Sequence, residues 1–196
     1  MALLIVFAMG VLPCLSFLKP FSTVALADST AQTLPFSQNW TNTGLITAND
    51  NWSGVQGIEG YFLRNDAVST TAVDPQTITG DTFGGGGAPE LDVIANQTNP
   101  NTLTNGGVAE FDGIANPVVA LQGSGTADAP YLLINLNTTG QTSINVAYNL
   151  RDIDGSTDNA TQPVALQFRV GNSGSFTNIP AGFVADATTG PAWQRS

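Results

Sequence analysis

Residues 144–150 read Ile-Asn-Val-Ala-Tyr-Asn-Leu, so Ile144, Val146, Tyr148 and Leu150 share one side and Asn145, Ala147 and Asn149 take the other. A period of two fits a strand with one wet face and cannot be wrapped into an amphipathic helix. The same pattern runs through residues 131–136, which set Leu132, Ile134 and Leu136 on one face. It returns in residues 164–170, where Val164, Leu166, Phe168 and Val170 are expected inward against Gln167 and Arg169. Val118-Val119-Ala120-Leu121 adds a short apolar run. Turn-rich links at 137–140, 154–159 and 171–174 separate these segments, and no window after residue 27 keeps a 3.6-residue apolar period. Several strands at this spacing without helices between them predict an all-β fold, an antiparallel β-sandwich of jelly-roll type.

The N-terminal part is harder to divide. Phe36, Trp40, Trp52, Tyr61 and Phe62 stand among Gly, Asn and Thr, which suits short strands and tight turns. Residues 64–90 carry the weakest pattern and end in Gly84-Gly85-Gly86-Gly87, expected to be a loop. That glycine run lacks the Lys and the helix that a phosphate-binding loop needs.

The first 27 residues form a separate unit. An apolar run from Ala2 to Leu18 and the small-x-small pattern Ala25-Leu26-Ala27 predict a signal helix cleaved before Asp28 or retained as an anchor. Residues 28–35 make a polar lead-in, and residues 36–196 are expected to be the β-domain. The only Cys is Cys14, so the exported chain forms no disulfide. Export places the protein in the medium or on the cell surface.

Beyond residue 27 the chain has no His, Lys, Cys or Met. General acid–base catalysis relies first on His, and covalent catalysis on Cys, Lys or an activated Ser. What is left is carboxylates, hydroxyls, amides, four Arg and some aromatics, a set suited to calcium or to sugars. The expectation is therefore a protein that is not an enzyme. Paired carboxylates for glycoside hydrolysis would have to come from Glu59, Glu90 or Glu110 with an Asp, and the spacing selects no pair. Formal net charge is −10, and −11 without Lys19, which disfavours nucleic acid and anionic membranes as direct partners. Neutral surface glycans and other exported domains fit that balance.

Two candidate binding groups emerge. Asp152, Asp154, Asp158 and Asn159 crowd oxygen ligands around a glycine and could hold calcium, although the spacing is not that of an EF-hand and an inter-strand turn explains the same residues. Trp40, Trp52 and Tyr61 could form a flat sugar-stacking platform, against which stands the usual placement of Trp in the core of small β-domains.

Asn39-Trp40-Thr41, Asn51-Trp52-Ser53-Gly54-Val55, Gly57-Ile58-Glu59-Gly60-Tyr61, Tyr148-Asn149-Leu150-Arg151-Asp152 and Gln167-Phe168-Arg169-Val170-Gly171 followed by Ser175-Phe176-Thr177 carry a family likeness. Across roughly residues 36 to 190 the chain resembles a secreted bacterial β-sandwich module. That module stands near the N-terminus of large extracellular proteins, some with endonuclease/exonuclease/phosphatase-type nuclease domains, others with lamin-tail or sorting domains. The resemblance implies an exported, non-enzymatic module with an attachment or accessory role. It leaves open the N-terminal fragment of an extracellular nuclease, and a carbohydrate-binding module. Relatives continue with further strands beyond the region of residues 186–191, so the domain is expected to be incomplete at its C-terminus. No catalytic residue carries over.

Overall fold

The computed structural model describes residues 25–63, 70, 73–154, 161–188 and 193–195. The expected signal helix lies outside them, as do Asp158 and Asn159. Among the described residues twelve strands follow in chain order: β1 (Gln32–Thr33), β2 (Ile58–Leu63), β3 (Glu90–Leu91), β4 (Ile94–Gln97), β5 (Gly107–Phe111), β6 (Val118–Gln122), β7 (Asp128–Ile134), β8 (Leu136–Asn137), β9 (Tyr148–Leu150), β10 (Gln167–Phe168), β11 (Thr177–Asn178) and β12 (Trp193–Arg195). Helical structure among the described residues is limited to three 3-10 turns, Pro75–Thr77, Pro100–Thr102 and Pro180–Gly182. Each begins with a proline, whose fixed φ and missing N–H suit a first helical position. Asp74 and Asn99 cap the first two by accepting from Gln76 N and Asn101 N at 2.9 and 3.1 Å. The described residues are β-rich, and no described helix is long and apolar enough to cross a membrane.

Two three-stranded sheets carry the fold, ordered β3-β2-β7 and β4-β5-β6. In the first, β2 runs antiparallel to both neighbours, with Ile58 opposite Ile134, Gly60 opposite Leu132 and Tyr61 opposite Tyr131. In the second, β5 and β6 are antiparallel whereas β4 and β5 are parallel, and β1 also pairs with β8 in parallel. The expectation of antiparallel pairing throughout is corrected at these two places. Strands β2 and β7 come close to β5, which brings the two sheets together.

The core fills that meeting place. Ile46, Trp52, Val55, Ile58, Val93, Ala95, Val108 and Val119 form one buried cluster, with Phe36, Trp40, Leu45, Leu91 and Leu132 packed on it. Burial of such side chains contributes about 1.5–3 kcal/mol each, so this cluster is the main source of stability. All of it comes from residues 36–132, the half with the weaker sequence alternation.

The downstream half departs from its expected packing. Ile144 is 42% exposed, Phe168 49% and Val170 91%. Ile134 is exposed as well, although Leu132 packs inward as expected. Gln167 and Arg169 face inward instead of Phe168 and Val170. The Gln167 amide donates to Ile78 O at 3.2 Å and to Asn178 Oδ1 at 2.8 Å. A one-residue change of phase sends every side chain of a strand to the other face. Here the two-stranded β10-β11 ribbon docks on residues 75–81, whose backbone offers carbonyls to bond and no apolar sheet to cover.

Arg169 fastens that ribbon. Its Nη1 lies 2.8 Å from both Oδ1 and Oδ2 of Asp81, and its guanidinium sits 4.3 Å over the Phe176 ring. Phe176 N donates to Thr79 O at 2.7 Å. Tyr61 and Tyr131 stack with ring centroids 5.5 Å apart, and burial opposes ionisation of both phenols, with the carboxylates of Glu59 and Asp81 adding to it.

Candidate functional site

Asp92 lies between β3 and β4, where the chain passes from one sheet to the other. Its N–H donates to Gly60 O on β2 at 2.9 Å. Its carbonyl accepts the indole N–H of Trp52 at 2.9 Å, and its Oδ2 accepts Val108 N on β5 at 2.6 Å. One residue thus bonds to β2, to the core tryptophan and to β5. Two glycines make room for it. A Cβ on Gly60 would stand 2.4 Å from Trp52 Cζ2, and one on Gly107 would stand 2.1 Å from Asp92 Oδ2. Gly107 also has φ +116°, a backbone that side-chain-bearing residues rarely adopt.

Beside Asp92 opens a cleft of about 530 Å³. The 49–50 turn forms one wall and is laced to the strand next to it. Asn49 Oδ1 accepts Ala95 N at 3.0 Å, Asp50 N donates to Val93 O at 2.9 Å, and Asp50 Oδ1 accepts Val93 N at 3.3 Å. Opposite stand residues 104–106 and the 124–127 turn. That turn is closed by Ser124, whose N donates to Ala127 O at 3.0 Å and whose Oγ accepts Ala127 N at 3.1 Å. Phe62, Val93, Ile94 and Ala127 supply apolar surface.

Burial pushes the Asp92 carboxyl up to about 6; the Val108 N–H works against the rise, and the carboxylates of Asp50 and Glu90 add to it. Glu110, at the far end of β5, is also raised by burial, with Asn96 N–H opposing at 2.8 Å. The cleft presents carboxylates, amides, hydroxyls and backbone, with no cationic side chain among the described residues of its lining. Such a surface hydrogen-bonds hydroxyl-rich neutral molecules and repels anions.

The residues expected to bind ligand do not assemble one platform. Trp52 is fully buried, its N–H held by Asp92, so its faces are closed to any outside molecule. Trp40 meets it edge-on, ring centroids 6.4 Å apart at 75°, and packs on the core. Tyr61 stacks on Tyr131 across the β2–β7 pairing. Of the expected calcium loop, Asp152 accepts Asp154 N at 3.0 Å, which closes a local turn. Among the described residues no three His, Cys, Asp or Glu side chains gather in a metal-sized group. Ala25 and Ala27 are exposed and flank Leu26, which pairs with Asn51.

Sequence reasoning missed Asp92. Its signal is its setting, a single carboxylate inside Leu91-Asp92-Val93-Ile94, since a charge in an apolar strand must find partners when buried. No family model matches this chain, and no curated protein or solved structure resembles it significantly.

Proposed function

We propose that the chain is a non-enzymatic exported β-sandwich module of a bacterial surface or secreted protein, with an attachment or accessory role. One observation carries this reading. The carboxylates in and beside the core each bond a partner in the fold: Glu110 takes Asn96 N at 2.8 Å, Asp92 takes Val108 N at 2.6 Å, Asp128 takes Thr70 N at 3.1 Å on one oxygen, and Glu59 faces the Asn135 amide at 3.4 Å. Glu59 on β2 and Glu110 on β5 also belong to different sheets, whereas glycoside hydrolysis needs two carboxyl groups flanking one bond. The proximity of β2 and β7 to β5 around one buried cluster supports the sandwich.

The test is turnover and placement. The purified protein, incubated with DNA, phosphodiesters and a polysaccharide panel in the presence of divalent metals, should release no product. Expressed with its leader in a bacterial host, it should reach the medium or be removed from intact cells by protease. Product formation that disappears in E110Q or E59Q, or a protein confined to the cytoplasm, would sink the reading. A carbohydrate-binding role is favoured by the polar cleft beside Asp92.

A further inference from the structure

We infer that the cleft beside Asp92 is a binding site for a neutral saccharide, an inference that rests on the non-catalytic attachment reading. Its volume of about 530 Å³ is in the range of ligand clefts, roughly 300–1,000 Å³. Size alone says little, and the chemistry of the lining selects the ligand.

Asp50 and Asp92 both line the cleft. Val108 occupies Oδ2 of Asp92 and Val93 bonds Oδ1 of Asp50, while among the described residues nothing donates to the second oxygen of either. An ionised carboxylate accepts only, so the matching ligand must bring donors. Sugar hydroxyls do so, and each can accept in the same place. Asn105 can return both a donor and an acceptor, and Thr104 a hydroxyl. No described hydrogen bond occupies either side chain. Phe62 and Ile94 give the apolar surface on which the C–H face of a sugar ring rests.

Other ligand classes fit less well. Among the described residues, phosphate, sulfate or uronate groups would meet two carboxylates and no cation on the lining. Calcium takes about six to eight oxygens, and the lining has two carboxylates, one of them held in place by Val108. The walls are fixed before any ligand arrives. Asn49 and Asp50 are tied to Ala95 and Val93, and Ser124 closes its own turn. Little ordering is left to oppose binding.

Gly125 offers a clean way to block the cleft. It lies on the lining, and a Cβ built there meets nothing within 4 Å. G125W should therefore fill the cleft without touching the core, and N105A should remove a polar partner without adding bulk. The full-length protein is applied to an array of neutral glucans, mannans and chitin fragments alongside sulfated and uronate glycans. A retained oligosaccharide is then titrated by calorimetry into wild type and both variants, with melting curves as the folding control. Expected is retention of neutral glycans alone, and affinity at least about tenfold lower in both variants at unchanged melting temperature. If G125W melts early, N105A decides. Absence of any retained neutral glycan, equal retention of anionic ones, or wild-type affinity in the folded variants overturns the site. Such a result leaves an exported, product-free protein consistent with the attachment reading, whereas hydrolysis of a bound glycan would end that reading and spare the cleft.

Discussion

Trp52 donates its indole N–H to the main-chain carbonyl of Asp92 across 2.9 Å, and the two residues are 40 positions apart in the chain. Core and cleft are therefore one structure. The indole sits in the core cluster, and its single polar atom fixes the residue that carries the cleft's half-buried carboxylate. Gly60 lets the ring approach, since any side chain there would collide with it.

W52F tests that joint. The substitution removes the donor, leaves the Asp92 carbonyl without its partner, and opens a void where the second ring stood. A lost bond to a buried acceptor costs about 1–3 kcal/mol, and the void adds to it. Urea denaturation should show a loss of about 2–4 kcal/mol with an unchanged m-value. A loss under about 0.5 kcal/mol would mean that the bond contributes little.

The raised Asp92 carboxyl makes stability depend on pH in a definite direction. In the folded chain it holds its proton up to about pH 6, whereas its ordinary value is 3.8. Between those values the folded state binds more protons than the unfolded one, so this group's contribution is present below the window and lost as pH rises through it. Glu110 acts in the same direction. Asp28 and Asp186, held below 3.8 by hydrogen bonds to Thr30, Thr188 and Gln162, act oppositely, but only under more acidic conditions. D92N keeps an oxygen for Val108 N and removes the titration. Wild type should lose roughly 1 kcal/mol more than D92N between about pH 4.5 and pH 7, a figure reduced for solvent screening of a part-exposed group. Parallel pH curves for the two proteins would show that Asp92 titrates normally.

Strand positions and strand packing were unequally legible in the sequence. The apolar run at 118–121 became β6, and the alternating stretch from Tyr131 became part of β7, because a period of two is a local property of the chain. Burial is not local. Phe168 and Val170 alternate as well as any pair in the chain, yet they face solvent because the surface that β10 meets is a row of backbone carbonyls. Conversely, Ile46, Val55 and Val93 look unremarkable in sequence and are fully buried, because loops as well as strands feed this core. The acidic loop at 152–159 drew attention through local density, whereas Asp50 and Asp92 come together only through folding.

Arg169 holds the β10-β11 ribbon, and its loss should loosen that ribbon alone. The guanidinium is largely buried and bonds both oxygens of Asp81 through one nitrogen while stacking on Phe176. R169M keeps the aliphatic stem and removes the charge-assisted bonds, worth about 1.5–3 kcal/mol. Hydrogen exchange should accelerate at the Phe176 and Ile179 amides, which bond Thr79 and Leu166, and remain unchanged at Val108 in the core. Uniform acceleration across both sets would mean that ribbon and core open together.

The backbone around the expected cleavage point is tied to the fold. Leu26 N donates to Asp50 O at 3.0 Å, and Leu26 O accepts Trp52 N at 2.6 Å, so the residue before Ala27 pairs with the turn that walls the cleft. A cut between Ala27 and Asp28 removes both bonds and leaves the Asp28 O to Gly57 N contact at 2.9 Å. Two backbone hydrogen bonds together contribute about 1–3 kcal/mol. A protein beginning at Asp28 should therefore be less stable by that amount than one beginning at Ala25. Its loss should be local, with faster hydrogen exchange at the Trp52 amide and little change at the Gly57 amide. Because Asp50 lines the cleft, neutral-saccharide affinity should fall with the shorter chain as well. Equal melting temperatures for the two proteins, with the Trp52 amide equally protected, would show that the Leu26 pairing adds nothing to the fold.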